Sequence, residues 1–427
     1  MKTKLFLIVL VTVALQLHAL GGEPRENLVA HEWGTFTSVQ GAEGIQLEWN
    51  PLVTSELPGF VYDRNKSVAA LRGQRVSFAS KDAFRTLQRL ETPVIYFYAD
   101  KEQSVDVTVT FPQGIVTEWY PQVRQATSAN PAGQPFVGRS VLRWDKVQVL
   151  PARQQAGWND NLPLDKSGSH YYAARETDAA PLRVNNGGKA EVEKFLFYRG
   201  VGNFTAPLTV KQSGEADSVN LENTGREELR NLFIYHVRQG QGKFLFVQSL
   251  ASGESKSVKV NPENDVQPLA ALRRDIAGRM RAALVKEGLY DREAAAMVQT
   301  WDDSWFAEQG LRVFYTLPRA WTDRILPLTL DPPAREIVRV MVGRAELITP
   351  AMEWELMKQV VRFSDGDERV RARAVEDARG LGLGRFMEPT TRRLMAKMPS
   401  REFSALSWEL LQEASKPATK EKAVALK

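Results

Sequence analysis

Residues 205–260 read TAPLTVKQSG EADSVNLENT GREELRNLFI YHVRQGQGKF LFVQSLASGE SKSVKV. Five runs have strand character: Pro207–Gln212, Ser218–Asn223, Leu229–Val237, Lys243–Ser249 and Ser255–Val260. Between them stand turn residues: Ser213-Gly214, Asn223-Thr224-Gly225, Gly240-Gln241-Gly242 and Ser252-Gly253-Glu254. Short strands at a spacing of about 8–12 residues, closed by such turns, predict a β-sandwich. Further strands near 190–199 are needed to complete it.

Upstream the same punctuation continues. Thr35–Val39, Val94–Tyr98, Val105–Phe111, Ile115–Tyr120, Val141–Leu150 and Phe195–Tyr198 read as strands, and 121–140 and 153–169 as loops. Ser80–Leu90 reads as a helix, with Phe84, Leu87 and Leu90 on one side. Downstream the period changes at Pro262–Pro268. Leu269, Leu272, Ile276, Met280 and Leu284 recur at three and four, and a second helix follows with Asp291 as its N-cap. Leu311–Leu317 and Glu336–Val342 return to strand. Helices are then expected from Thr349-Pro350, over 366–380, over 389–398 and over 400–414. The chain is therefore expected to be α+β. It divides into a signal peptide (1–21), a β-rich N-terminal domain (22–190), a sandwich module (191–261), a mixed to helical C-terminal domain (262–415) and a disordered tail (416–427).

Two resemblances follow from these residues. The stretch from Val219-Asn220-Leu221-Glu222-Asn223-Thr224-Gly225 to Leu250-Ala251-Ser252-Gly253-Glu254-Ser255 resembles the immunoglobulin-like modules of bacterial exported proteins, which implies a fold and no function. Val29-Ala30-His31-Glu32-Trp33-Gly34-Thr35-Phe36-Thr37 resembles the opening of a family of exported bacterial proteins with no assigned activity. Glu91-Thr92-Pro93-Val94-Ile95-Tyr96-Phe97-Tyr98 and Thr117-Glu118-Trp119-Tyr120-Pro121 look like further blocks of that family. The resemblance carries no catalytic residue with it.

The N-terminus points the same way. Lys2 and Lys4 precede an apolar run from Leu5 to Leu15, and Ala19-Leu20-Gly21 offers small residues for cleavage, after Gly21 or after Ala19. The run is about half the length that spans a bilayer, and no later stretch approaches that length. The expected location is periplasmic or extracellular. There is no cysteine among the 427 residues, which excludes lipidation at an N-terminal cysteine, disulfides and thiolate chemistry. Loss of 1–21 lowers the net charge from +5 to +3, because that segment holds two lysines and no acid. Residues 22–260 carry 27 Lys+Arg against 26 Asp+Glu, and residues 261–427 carry 27 against 25. Neither half is a basic patch, so no nucleic-acid partner is expected.

The phosphate-loop, dinucleotide, zincin, G-x-S-x-G and S-x-x-K signatures are absent in their usual spelling. Asp365-Gly366-Asp367-Glu368 is too short for a calcium loop and reads as a helix start. Three histidines remain after residue 21. His31, His170 and His236, with Glu32 or Glu118 beside them, form a ligand set for one divalent transition metal if folding converges them. That is the basis of a metal-dependent hydrolase reading. Tryptophans with an acid two residues away suit a carbohydrate-binding or carbohydrate-cleaving protein: Trp158/Asp160, Asp303/Trp305 and Trp321/Asp323. Immediate Trp–acid neighbours on strands do not, because they point to opposite faces. The leading expectation is an exported, non-enzymatic binding or envelope-associated protein.

Overall fold

The computed structural model describes residues 25–52, 57–64, 85–129, 138–151, 161–165, 168–213, 218–260 and 265–416. The expected signal peptide, the tail beyond residue 416, Phe84, Trp158 and Asp160 lie outside them. The fold is α+β, rich in strands at first and with its helices gathered in the C-terminal region.

Strands are numbered in chain order. The largest sheet has eleven among the described residues. Across it run β17 (Gln267–Pro268), β15 (Gln241–Leu250), β14 (Leu229–Arg238), β18 (Gly310–Leu317), β20 (Ala334–Ile348), β1 (Arg25–Gly41), β4 (Gln88–Ala99), β11 (Leu196–Gly202), β6 (Gly114–Tyr120) and β3 (Tyr62–Asp63), with β2 (Gln46–Leu47) beside β1. A second sheet runs β10 (Lys189–Glu193), β9 (Leu182–Asn186), β8 (Arg139–Val149), β5 (Gln103–Phe111), β19 (Leu328–Asp331), with β7 (Gln125–Ala129) on β8. A third contains β12 (Leu208–Gln212), β13 (Ser218–Asn223) and β16 (Ser255–Lys259). The five runs of 205–260 are all strands, and they divide between two sheets: three in the third sheet, two in the first. Their inward side chains, Val210 and Leu221 from one sheet and Leu232, Ile234 and Val247 from the other, share one core.

Alternation along the large sheet's strands builds two cores. Ala30, Phe36, Ile95, Ile234 and Val313 face the two smaller sheets. Trp33, Val94, Tyr96, Phe233, Tyr235 and Phe314 face helices on the other side. Those helices are α1 (Leu269–Lys286) and α2 (Asp291–Asp302), with a short 3₁₀ turn at His170–Arg175. The result is three layers with the large sheet in the middle. After a short α3 (Arg319–Ile325), the chain closes with α4 (Pro350–Phe363), α5 (Glu368–Gly380), α6 (Met387–Lys397) and α7 (Arg401–Ser415), packed on a core of their own.

Several expectations need correction. Gln88–Leu90 begin β4 rather than ending a helix; the strand is buried on both faces, so its apolar spacing shows no period of two. β7 lies inside the expected 121–140 loop. Tyr290, not Asp291, is the N-cap of α2. Asp367 does cap α5, its side chain accepting from Arg369 N at 2.7 Å.

Candidate functional site

β1 carries the His-Glu-Trp-Gly-Thr-Phe segment through the middle of the large sheet. It pairs in parallel with β20 and antiparallel with β4. Every residue from Val29 to Val39 is buried, and successive side chains go to opposite faces. His31 faces the helices. Its Nδ1 lies 2.8 Å from Glu293 Oε2. Tyr98 donates its hydroxyl to Glu293 Oε1 at 2.7 Å, and Tyr290 donates its backbone N–H to Oε2 at 2.8 Å. One carboxylate in the first turn of α2 thus holds β1, β4 and the helix cap together. Against a carboxylate, Nδ1 is the ring nitrogen that donates. The Tyr290 ring lies over the imidazole at 4.4 Å, and the His31 side chain is 2% exposed. Burial first, then the Glu293 charge, pushes the Tyr98 hydroxyl well above the ordinary tyrosine range, so it remains a donor.

Glu32 faces the smaller sheets. Tyr198 donates to Oε1 at 2.5 Å and Arg339 Nε to Oε2 at 2.5 Å. Arg339 also bonds Asp323 at 2.7 Å and the Leu326 carbonyl at 2.7 Å. Burial lowers the Arg339 guanidinium, but Glu32, Tyr198 and Asp323 together outweigh it and the net shift is upward. A buried pair satisfied in this way is costly to break, about 3–5 kcal/mol when one partner is removed. The two polar clusters on β1 use up the carboxylate oxygens in structural bonds.

The predicted metal ligands are not brought together. Pairing carries His236 across Leu311 and Leu347 to Gln40 of β1. Gln40 is nine residues from His31, about 30 Å along a strand, and metal–ligand bonds are about 2 Å. Glu32 is on the far face from His31. His170 is exposed at the start of its 3₁₀ turn, and Glu118 is bonded to Arg199 at 2.8 Å. Among the described residues no three His, Asp or Glu side chains are grouped to hold an ion. His236 sits in a cleft of about 360 Å³ with Arg238, Gln239, Gln241 and Lys243. Burial, and then Arg238, Arg312 and Lys243, push its imidazole down to about 4.

The two described tryptophans of the carbohydrate reading, Trp305 and Trp321, are interior. Trp305 is buried and lies parallel to Trp301 at 6.4 Å, while Asp303 pairs with Arg273 at 3.0 Å. Trp321 is buried against Phe36 and Phe204, and Asp323 binds Arg319 and Arg339.

A roomier cleft than the one at His236 lies where the β3–β6 edge of the large sheet meets the β9–β10 edge of the second sheet. It measures about 690 Å³ and is lined by Phe60, Tyr62, Tyr120, Arg183, Lys189 and Glu191 among others. Tyr62 and Tyr120 lie nearly parallel, 6.3 Å apart at 13°, and Phe60 meets Tyr120 edge-on at 4.9 Å. Glu191 accepts from Tyr62 at 2.6 Å, Lys189 at 3.0 Å and the Gln122 N–H at 2.7 Å. Burial, and then Glu191, push both tyrosines upward, so they do not ionise, and Tyr62 donates to Glu191. Sequence reading missed this site because its residues come from four separate strands. The Thr117–Pro121 block, which contains Tyr120, was its one visible mark.

No protein-family model matches the chain, and no curated protein sequence matches it. Among solved structures it is distantly similar to mu-homology domains, which are themselves β-rich. The Fcho1 domain of Danio rerio with a bound Eps15 peptide is 7% identical with a TM-score of 0.29, over 76% of this chain and 98% of that one. The yeast delta-COP-I domain complexed with a Dsl1 WxWxV peptide is 7% identical with a TM-score of 0.28, over 75% of this chain and 98% of that one. At such scores the similarity carries no argument about this chain.

Proposed function

We propose that this is an exported, non-enzymatic binding protein of the cell envelope, working in the periplasm or outside the cell, with its ligand site in the β3–β6/β9–β10 cleft. The observation that carries the reading is the cleft itself. A concave site of about 690 Å³ is within the usual size of small-molecule pockets, and a few placed polar groups among aromatic ones are their usual lining. Phe60 and Tyr62 offer apolar faces, and Arg183 and Lys189 offer cationic ones, which suits a polar ligand with an apolar side. The absence of an activity is supported by the state of the best acid–base candidates: the oxygens of Glu32, Glu191 and Glu293 are all engaged by donors within the protein. Export rests on the residues of 1–21.

Calorimetric titration of the chain beginning at residue 22 against envelope-derived small molecules tests the site. Binding that falls at least tenfold in Tyr62→Ala and in Lys189→Ala, and is unchanged in His236→Gln, is the expected result. Binding insensitive to both cleft substitutions, or turnover of any ligand bound there, overturns the reading. Mass spectrometry of the product recovered outside the cytoplasm tests export, with a first residue of Gly22 expected.

A further inference from the structure

β14 turns into β15 at Gln239 and Gly240, which both have positive φ, 51° and 75°. A two-residue turn of this kind fixes the register of its strands. His236 is paired with Lys243, and Arg238 with Gln241. Residues two apart on a strand share a face, and so do residues directly paired across strands. His236, Arg238, Gln241 and Lys243 therefore take four adjoining positions on one face of the hairpin. Directly paired Cβ atoms stand about 5 Å apart, close enough for the four groups to meet one small ligand. The cleft of about 360 Å³ lies among them, at the low end of the usual range for small-ligand pockets, about 300–1,000 Å³.

The charge of this cleft is one-sided. Arg238 and Lys243 line it, and no carboxylate does so among the described residues. Arg238 is exposed, and it makes no ion pair or hydrogen bond with a described residue. The His236 ring is half-buried, and neither of its nitrogens bonds a described residue. The surrounding elements do not reverse the balance. On β18, Leu311 stands opposite His236, and its neighbour Arg312 is paired with Glu346 at 3.1 Å. Behind the hairpin, Arg279 of α1 stands over Phe244 at 5.3 Å and pairs with Asp275 at 3.2 Å. Asp265, exposed and next to Val266 in the chain, is not part of the lining. Like charges side by side on a sheet repel, and burial with Arg238, Arg312 and Lys243 disfavours the charged imidazole. An anion among these groups offsets both effects.

We propose that this cleft is an oxyanion site, taking a phosphate- or sulfate-type group between the Arg238 guanidinium, the Lys243 ammonium and the His236 ring. Arg238 can give two parallel N–H donors to two oxygens, and Lys243 a point charge to a third. The protonated ring and the Gln241 amide add further donors. A carboxylate has two oxygens and one charge, so a tetrahedral dianion matches the donors and the two cations better. The site is distinct from the β3–β6/β9–β10 cleft. β14 and β6 are six strand spacings apart in the large sheet, about 29 Å along it at about 4.8 Å per strand.

Sulfate is the suitable probe, because it stays doubly charged between pH 7 and pH 4. The chain from residue 22 to 427 is titrated with sodium sulfate and, at equal ionic strength, with sodium chloride and sodium acetate, while NMR follows the His236 ring. Sulfate is expected to shift the ring signals saturably and to raise their titration midpoint by about one pH unit or more. Arg238→Gln and Lys243→Gln are each expected to weaken sulfate binding about tenfold or more with near-UV circular dichroism unchanged. Arg238→Lys should retain more binding than Arg238→Gln. A midpoint equal in sulfate and chloride overturns the proposal, and this comparison needs no variant, so it stands if a substitution misfolds. Binding that survives both Gln substitutions overturns it too, as does acetate binding as tightly as sulfate.

Discussion

Neighbouring side chains on β1 serve opposite faces, because a strand has a period of two, so His31 and Glu32 part company although the sequence reading placed them in one ligand set. Their partners were not legible, because Glu293 and Arg339 lie 262 and 307 residues away and nothing local marks them. His236 makes the residue-scale prediction. Its imidazole is held at about 4, by burial first and then by three cations, against about 6.5 in an unfolded chain. The unfolded state therefore takes up the proton first as pH falls. Stability present above pH 6.5 is lost as pH drops through that value toward 4, by about 3 kcal/mol in all. Urea unfolding at steps between pH 7 and pH 4 should show this fall, and His236→Gln should flatten it. In NMR the ring should titrate near pH 4.

At the scale of elements, the motif blocks turn out to be parts of one piece of sheet. Between Trp33↔Val94 and Thr35↔Glu91 the pairing of β1 with β4 slips, so Gly34 alone faces Thr92 and Pro93. A Cβ on Gly34 would stand 3.0 Å from the Pro93 Cα and 3.0 Å from the Met341 sulfur. Backbone cannot yield as a side chain does. Gly34→Ala is therefore expected to cost about 1–3 kcal/mol, read as a lower denaturant midpoint at unchanged slope. The glycine and the Glu-Thr-Pro turn are two halves of one bulge, which explains them without chemistry. Elements with strong local signals were readable: the five runs of 205–260, and helices α4 to α7 with Pro350 at the start of the first. β9 and β10 were missed although Asn186-Gly187-Gly188 joins them, because Lys189–Glu193 has only Val192 and Ala190 as apolar residues. β19 is four residues long, Leu-Thr-Leu-Asp, too short for its alternation to stand out.

At the scale of the molecule, the strand order was hidden. β1 and β20 pair in parallel from Val29↔Glu336 to Gly41↔Ile348, and no sequence period encodes a partner so distant. The β3–β6/β9–β10 cleft was hidden for the same reason, since two sheets must meet to form it. A chain ending at residue 261 would keep β1 and lose β20, Glu293 and Arg339 together. It is expected to remain insoluble or without near-UV circular dichroism, while the chain from residue 22 to 416 folds with one cooperative transition by calorimetry. The parallel pair also sets a timetable. Because the first strand waits for one of the last, a nascent polypeptide cannot complete its central sheet until nearly 350 residues have left the ribosome. High sequence separation of this kind slows folding. Under the export proposed above, that delay would leave the thread slack while it passes a translocation channel.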